Sequence, residues 1–135
     1  MDSSIWGPGA WTFLHSITFN YPLHPTSKQK QEHYNFFKNL ENILPCDICK
    51  NHYKHNLNKF PLNETVLSNK NNFIKWLIDI HNSVNQLNGK RIYTYNEVIK
   101  LYNNKYFDKN NHHYFIYFFI FLFILIIIYL YLKRR

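Results

Sequence analysis

The run from Tyr114 to Leu132, YFIYFFIFLFILIIIYLYL, holds 19 consecutive apolar or aromatic residues with no charge, glycine or proline. A helix of this composition has no polar face, so it must be buried all round or lie in lipid. At about 1.5 Å per residue the run nearly crosses a bilayer core of roughly 30 Å. Tyr114, Tyr117, Tyr129 and Tyr131 stand toward its two ends, where amphipathic rings favour the interface, and Lys133, Arg134 and Arg135 follow as a basic flank. Core helices of soluble domains are usually shorter than this. We read residues 114–132 as a single C-terminal transmembrane helix and residues 133–135 as a basic tail.

That leaves roughly 110 residues for a folded domain, enough for one small core. Residues 1–30 lack a basic n-region followed by an apolar h-region, so no signal peptide is expected. A chain whose hydrophobic span sits at its C-terminus is inserted after synthesis, which leaves the preceding domain in the cytosol. The basic tail outweighs Lys105, Asp108 and Lys109 and pulls toward the opposite topology, but three residues are a weaker signal than the order of insertion. The sequon Asn63-Glu64-Thr65 matters only for a lumenal domain.

The formal net charge is +8, but three of the 16 Lys and Arg residues are in the tail, and the remaining 13 face 8 Asp and Glu. These basic residues are dispersed, with no run longer than Lys90-Arg91 before the tail. A solvated surface accounts for them, and no nucleic-acid partner is expected.

Helical periodicity runs through the domain. Pro8 suits a first helical turn, after which Trp11, Leu14, His15 and Thr18 recur at helical spacing until Tyr21-Pro22 ends the pattern. Thr26 or Ser27 caps a second helix with Tyr34, Phe37, Leu40 and Leu44 on one face, and Pro45 restarts the chain into a third helix from about Cys46 to Leu57. A fourth is predicted from about Asn71 to Leu87, with Phe73, Ile74, Leu77, Ile80, His81 and Val84 as its stripe and Gly89 as its stop. Thr94 and Glu97 form a capping-box pattern that opens a short fifth helix to about Tyr102, and residues 104–113 have the polarity of a linker. No alternating run demands a strand. The fold class is all-α, a helical bundle followed by a membrane anchor.

The only two cysteines, Cys46 and Cys49, stand in the stretch LPCDICKNH. At (i, i+3) they share a helix face and are close enough for a disulfide. At a helix N-terminus, free N–H groups and the dipole stabilise the thiolate of Cys46, making it a nucleophile, while Cys49 one turn on resolves a mixed disulfide. A zinc site is the alternative, with Cys46, Cys49, His52 and His55 or His81 as ligands of a membrane-anchored interaction module, although a second closely spaced ligand pair is missing. The third possibility is that two small residues merely happen to be neighbours.

Around the dithiol, the elements Trp6-Gly7-Pro8, Trp11, Leu14-His15, Tyr21-Pro22, PCDICKNH, Trp76, His81-Asn82, Val84-Asn85, Gly89-Lys90 and Tyr102 occur in an order that resembles the Erv/ALR family of FAD-dependent sulfhydryl oxidases, over about residues 5–102. Membrane-anchored and viral members are the most similar in character. The resemblance implies a four-helix bundle with a short fifth helix over residues 1–103, noncovalent FAD and a homodimer. It implies that Cys46 exchanges with substrate and that Cys49 is the flavin-proximal cysteine.

Around the cofactor it implies Trp6, Gly7, Pro8, Trp11, His15 and His52 from the first half of the chain. From the second half it implies Trp76, His81, Asn82, Val84, Asn85, Lys90 and Tyr102. Flat rings such as Trp11, His15 and His81 can sandwich a heteroaromatic group, and Lys90 can meet a phosphate. Trp76 reads more as a core residue than as a cofactor contact, and Trp6 serves either purpose. His33, His55, His112 and His113 match nothing in the pattern and are read as surface. The implied reaction oxidises a partner dithiol protein, thioredoxin-like or bearing C-x-x-C, and passes electrons to O₂ to give H₂O₂. This chain lacks the additional cysteine pairs of many relatives, so electrons must arrive from a separate protein and any dimer must be noncovalent. By analogy, such an oxidase suits a virus forming disulfides at a cytoplasmic membrane or in a virion membrane.

Overall fold

The structure, a computed structural model, describes residues 1–107 and 111–134. Its elements in chain order are α1 (Ser3–Phe19), α2 (Ser27–Ile43), α3 (Asp47–Lys59), a single 3-10 turn (Val66–Ser68), α4 (Lys70–Leu87), α5 (Tyr95–Phe107) and α6 (Asn111–Lys133). No strand occurs among the described residues, so the all-α expectation holds. The chain forms two compact units, Met1–Tyr95 and Asn96–Arg135.

Capping chemistry places the helix ends. Thr26 caps α2 in a reciprocal box, its hydroxyl accepting from the Gln29 N–H while the Gln29 side chain accepts from the Thr26 N–H. Asn69 caps α4 through its side-chain oxygen and the Asn72 N–H. Gly89, just past the end of α4, takes φ +62°, the left-handed conformation that glycine adopts without steric cost. Helix α1 departs from expectation. It starts at Ser3 because the Asp2 carboxylate accepts from the Ser4 N–H at 2.8 Å, and Pro8 lies inside the helix on an exposed face, where one backbone donor is missing.

Named contacts fix the packing of the first unit. Tyr21 meets Phe73 at 4.8 Å between ring centroids while Trp11 meets His81 at 3.9 Å, so α1 and α4 run antiparallel. Trp76 donates its indole N–H to the Phe60 carbonyl and Ser83 donates to Asn56, which makes α3 antiparallel to α4. The N-termini of α1 and α3 and the C-terminus of α4 therefore share one end of the bundle, its mouth.

Below the mouth, Tyr21, Phe37, Phe73 and Trp76 interlock edge to face or stacked, and Leu14, Leu57, Leu77 and Ile80 complete the core. Two buried hydroxyls are satisfied by backbone carbonyls, Tyr21 on Leu67 and Tyr53 on Phe37. His33, expected on the surface, is half-buried instead. Its ring sits edge-on to Tyr21 and Phe73, and its Nδ1 lies 2.7 Å from the Gln29 carbonyl.

In the second unit, α5 runs to Phe107 rather than stopping near Tyr102, so part of the expected linker is helical. Residues 108–110 of that linker and Arg135 of the basic tail lie outside the described residues, as do the side chains of His112 and His113. Within α6, the 20 residues Tyr114–Lys133 are long and apolar enough to cross a membrane, and none of that segment is buried.

Candidate active site

The site is built from one end of α3. Cys46 has an extended backbone and serves as the N-cap, its Sγ accepting the Cys49 N–H at 3.2 Å. A tight turn precedes it, with the Cys46 N–H on the Leu44 carbonyl at 2.8 Å. Cys46 and Cys49 form a disulfide with their Cα atoms 5.1 Å apart, and both residues are partly exposed. Sulfur thus sits where the N–H groups of a helix start favour negative charge. After reduction, Cys46 is expected to react faster than Cys49 with iodoacetamide near pH 7, measured by mass spectrometry of peptides after timed quenching. Equal rates would show that the helix start does not activate it.

On the facing helices lies an aromatic cluster. The Trp11 indole and the His81 imidazole stack 3.9 Å apart and 6° from parallel. His15 is fully buried, and its Nε2 is 3.0 Å from His81 Nδ1, so one ring donates to the other. Burial holds both imidazoles well below their ordinary range. His15, which also feels His81, is lowered to about 3, and His81, which also feels the Lys90 ammonium, is lowered to about 4. Both rings are neutral at physiological pH. Because Trp11 and His81 lie directly on each other, a third ring does not fit between them and would have to pack on an outer face of the stack.

Register relates the cluster to the sulfurs. Asn56, seven residues beyond Cys49, shares its face of α3 about 10.5 Å along the axis. Asn56 accepts from Ser83 at 2.8 Å, so Cys49 comes level with the C-terminal end of α4. There the Asn85 carbonyl accepts the Lys90 N–H at 2.8 Å and sets the turn that carries Lys90. Trp6, Gly7 and Pro8 reach the same end on the first two turns of α1. The Trp6 indole N–H is buried without a hydrogen-bond partner, a donor left for a group beyond the protein's own atoms.

The other residues singled out in the sequence take varied places. Asn85 is buried and Val84 half-buried, while His52, one turn past Cys49, is exposed. Asn82 uses its amide on the chain itself, donating to the Tyr93 carbonyl at 2.7 Å and accepting the Tyr93 N–H at 3.0 Å. Trp76 is core, with its N–H on Phe60. Tyr102 is buried and belongs to the second unit. The bond from Ser83 to the buried Asn56 was missed in the sequence, where the only signal was a polar residue in register with Tyr53 and Leu57.

The zinc alternative finds no support, since no group of three or more His, Cys, Asp or Glu among the described residues is arranged to hold a metal. Both sulfurs are in the disulfide and His81 is engaged with His15 and Trp11. The residues present do suit a flat heteroaromatic cofactor with a phosphate tail. They offer a half-buried aromatic stack, neutral imidazoles, an unpartnered indole N–H and a lysine just past the end of α4.

Comparison with known proteins gives the same direction. The model of the Erv1 / Alr family matches residues 8–106. A probable FAD-linked sulfhydryl oxidase of Acanthamoeba polyphaga mimivirus is 44% identical over 100 residues, covering 74% of this chain and 70% of that protein. A putative FAD-linked sulfhydryl oxidase of Invertebrate iridescent virus 6 is 38% identical over 94 residues, covering 67% and 85% respectively. Among solved structures, the FAD binding domain of Erv1 from Saccharomyces cerevisiae superposes with a TM-score of 0.63 at 28% identity, over 70% of this chain and 87% of that one.

Proposed function

This chain belongs to the Erv1 / Alr family, and from that premise we propose that it is an FAD-linked sulfhydryl oxidase of the viral type, working through the Cys46–Cys49 disulfide. The observation that carries the reading is the position of that disulfide, at a helix start on the same end of the bundle as the Trp11–His81 stack. FAD is held by Trp6, Gly7, Pro8, Trp11, His15, His81, Asn85 and Lys90, with Val84 and His52 at the margin. Asn82 fixes the adjoining loop and Trp76 supports the floor from the core. Bound there, FAD supplies the two-electron acceptor that links dithiol oxidation to O₂.

The protein's own part is thiol–disulfide exchange. A thiolate of the partner dithiol attacks Cys46 Sγ, the Cys46–Cys49 bond breaks, and Cys49 leaves as a thiolate on the flavin side. The partner's second thiolate attacks the mixed disulfide, closes the partner's own disulfide and releases Cys46. The dithiol gives up two electrons and two protons, and O₂ takes them up as H₂O₂. His15 and His81, held neutral, place no cation opposite the aromatic stack.

The substrate is a separate thioredoxin-like or C-x-x-C protein. The enzyme is a noncovalent homodimer. Phe13 and Phe36, exposed on α1 and α2 and edge-to-face at 6.3 Å, offer an aromatic patch for its interface. Residues 1–103 form the oxidase domain, 104–113 the connection, and α6 a membrane anchor that leaves the domain in the cytosol, at a cellular or virion membrane.

The test is an absorbance spectrum of the full chain purified in detergent, followed by oxygen uptake with dithiothreitol. Flavin bands and dithiol-dependent uptake are expected. A folded, colourless protein carrying stoichiometric zinc would overturn the reading.

A further inference from the structure

Beside the disulfide, three apolar side chains face solvent. Ile43, the last residue of α2, is 67% exposed and Ile48, between the two cysteines, is 68% exposed; Pro45 is exposed between them. Each side chain of this size costs free energy when left in water. The charged neighbours cancel in pairs, Lys38 with Glu41 at 3.1 Å and Lys50 with Asp47 at 3.0 Å. The surface around the sulfurs therefore has an apolar character and little net charge with which to attract a substrate electrostatically.

Reaction geometry says what covers it. A thiolate attacks a disulfide along the S–S axis, from behind the sulfur under attack. For attack on Cys46, the N-cap, that direction points away from Cys49 and off the start of α3, the end at which the chain arrives from Ile43 and Pro45. Ile43, Pro45 and Ile48 all lie within three residues of the attacked sulfur and are exposed, so they are the apolar surface available to the residues next to an incoming cysteine.

We infer that these three residues form a docking rim that selects dithiol polypeptides whose attacking cysteine has a large aliphatic neighbour. The inference rests on the oxidase reading above and deepens it by naming the substrate class. The exchange is that already given, with the new bond from the substrate sulfur to Cys46 and the electron pair leaving on Cys49.

The test compares three reductants on the full chain in detergent: dithiothreitol, a C-x-x-C peptide with leucine beside its first cysteine, and the same peptide with serine there. The leucine peptide is expected to exceed the serine peptide by roughly tenfold in kcat/KM, mostly through KM. Ile43→Asn, outside the redox motif, and Ile48→Asn should each narrow that ratio, and together they should abolish it while oxidation of dithiothreitol continues. Equal kcat/KM for the two peptides in the unaltered protein, or a preference that persists in the double variant, would overturn the docking rim. A protein inert toward dithiothreitol as well would remove the oxidase reading, and the rim with it.

Discussion

Replacing Cys49 by serine is expected to lower dithiothreitol-driven oxygen uptake by at least about a thousandfold, because the residue acts as a unit with Cys46 and no partial route remains. The disulfide joins these two sulfurs, and Cys49 is the leaving group when Cys46 is attacked. Without its sulfur a mixed disulfide on Cys46 has no resolving partner on the cofactor side. Serine is close in size to cysteine, and the Cys49 N–H would still find Cys46 Sγ, so the helix start should persist. Flavin content is therefore expected to stay near that of the unaltered protein. Measuring uptake and the flavin-to-protein absorbance ratio on one sample separates the two effects. Uptake that survives in the variant would remove Cys49 from the proposed electron route.

The second large effect is a loss of folding stability in mild acid. Folding lowers the pKa of His15 to about 3 and that of His81 to about 4, through burial first and then through His81 and Lys90 respectively. In the unfolded chain both imidazoles protonate near their ordinary value of about 6.5. Between these limits the unfolded state binds more protons, so stability rises with pH. The contribution is fully present above about pH 6.5 and is lost as the pH falls toward the folded values. At about 1.4 kcal/mol per pH unit for each group, moving from pH 7 to pH 5 costs the pair about 4 kcal/mol. That is a large fraction of the typical 5–15 kcal/mol for a domain. Urea midpoints of the full chain in detergent, followed by tryptophan fluorescence at pH 5, 6 and 7, should fall steadily toward acid. His81→Gln should shallow the slope, and midpoints level across this range in the unaltered protein would contradict the buried neutral pair.

Much of the bundle was legible because its signals are local. The cap at Thr26, the stripe from Phe73 to Val84 and the glycine at position 89 each lie within one or two turns of the boundary or face they specify. The dithiol was legible for the same reason, since spacing and a preceding proline place both sulfurs at a helix start. Misreadings occurred where two local signals competed or where the decisive contact was distant. Pro8 looked like a first turn, but the Asp2 carboxylate starts the helix earlier, and an exposed proline is tolerated inside it. His33 lies on a polar helix by sequence, and only Tyr21 and Phe73 from other segments draw it inward. Trp11 and His81 were both singled out, but that they stack on each other depends on how α1 crosses α4. Asn82 also holds the loop through its amide and Tyr93, a partner no periodicity reveals.

The Asn56–Ser83 bond has a mechanical consequence. The core between α3 and α4 is mostly apolar, and greasy side chains alone would let two helices slide past each other with little penalty. A slip of one turn would move the sulfurs by about 5.4 Å relative to His81. It would also part Asn56 from Ser83 and leave the buried Asn56 oxygen without its donor, at a cost of about 1–3 kcal/mol. One hydrogen bond between α3 and α4 thus works as a detent, holding the distance between redox sulfur and aromatic stack at a single setting.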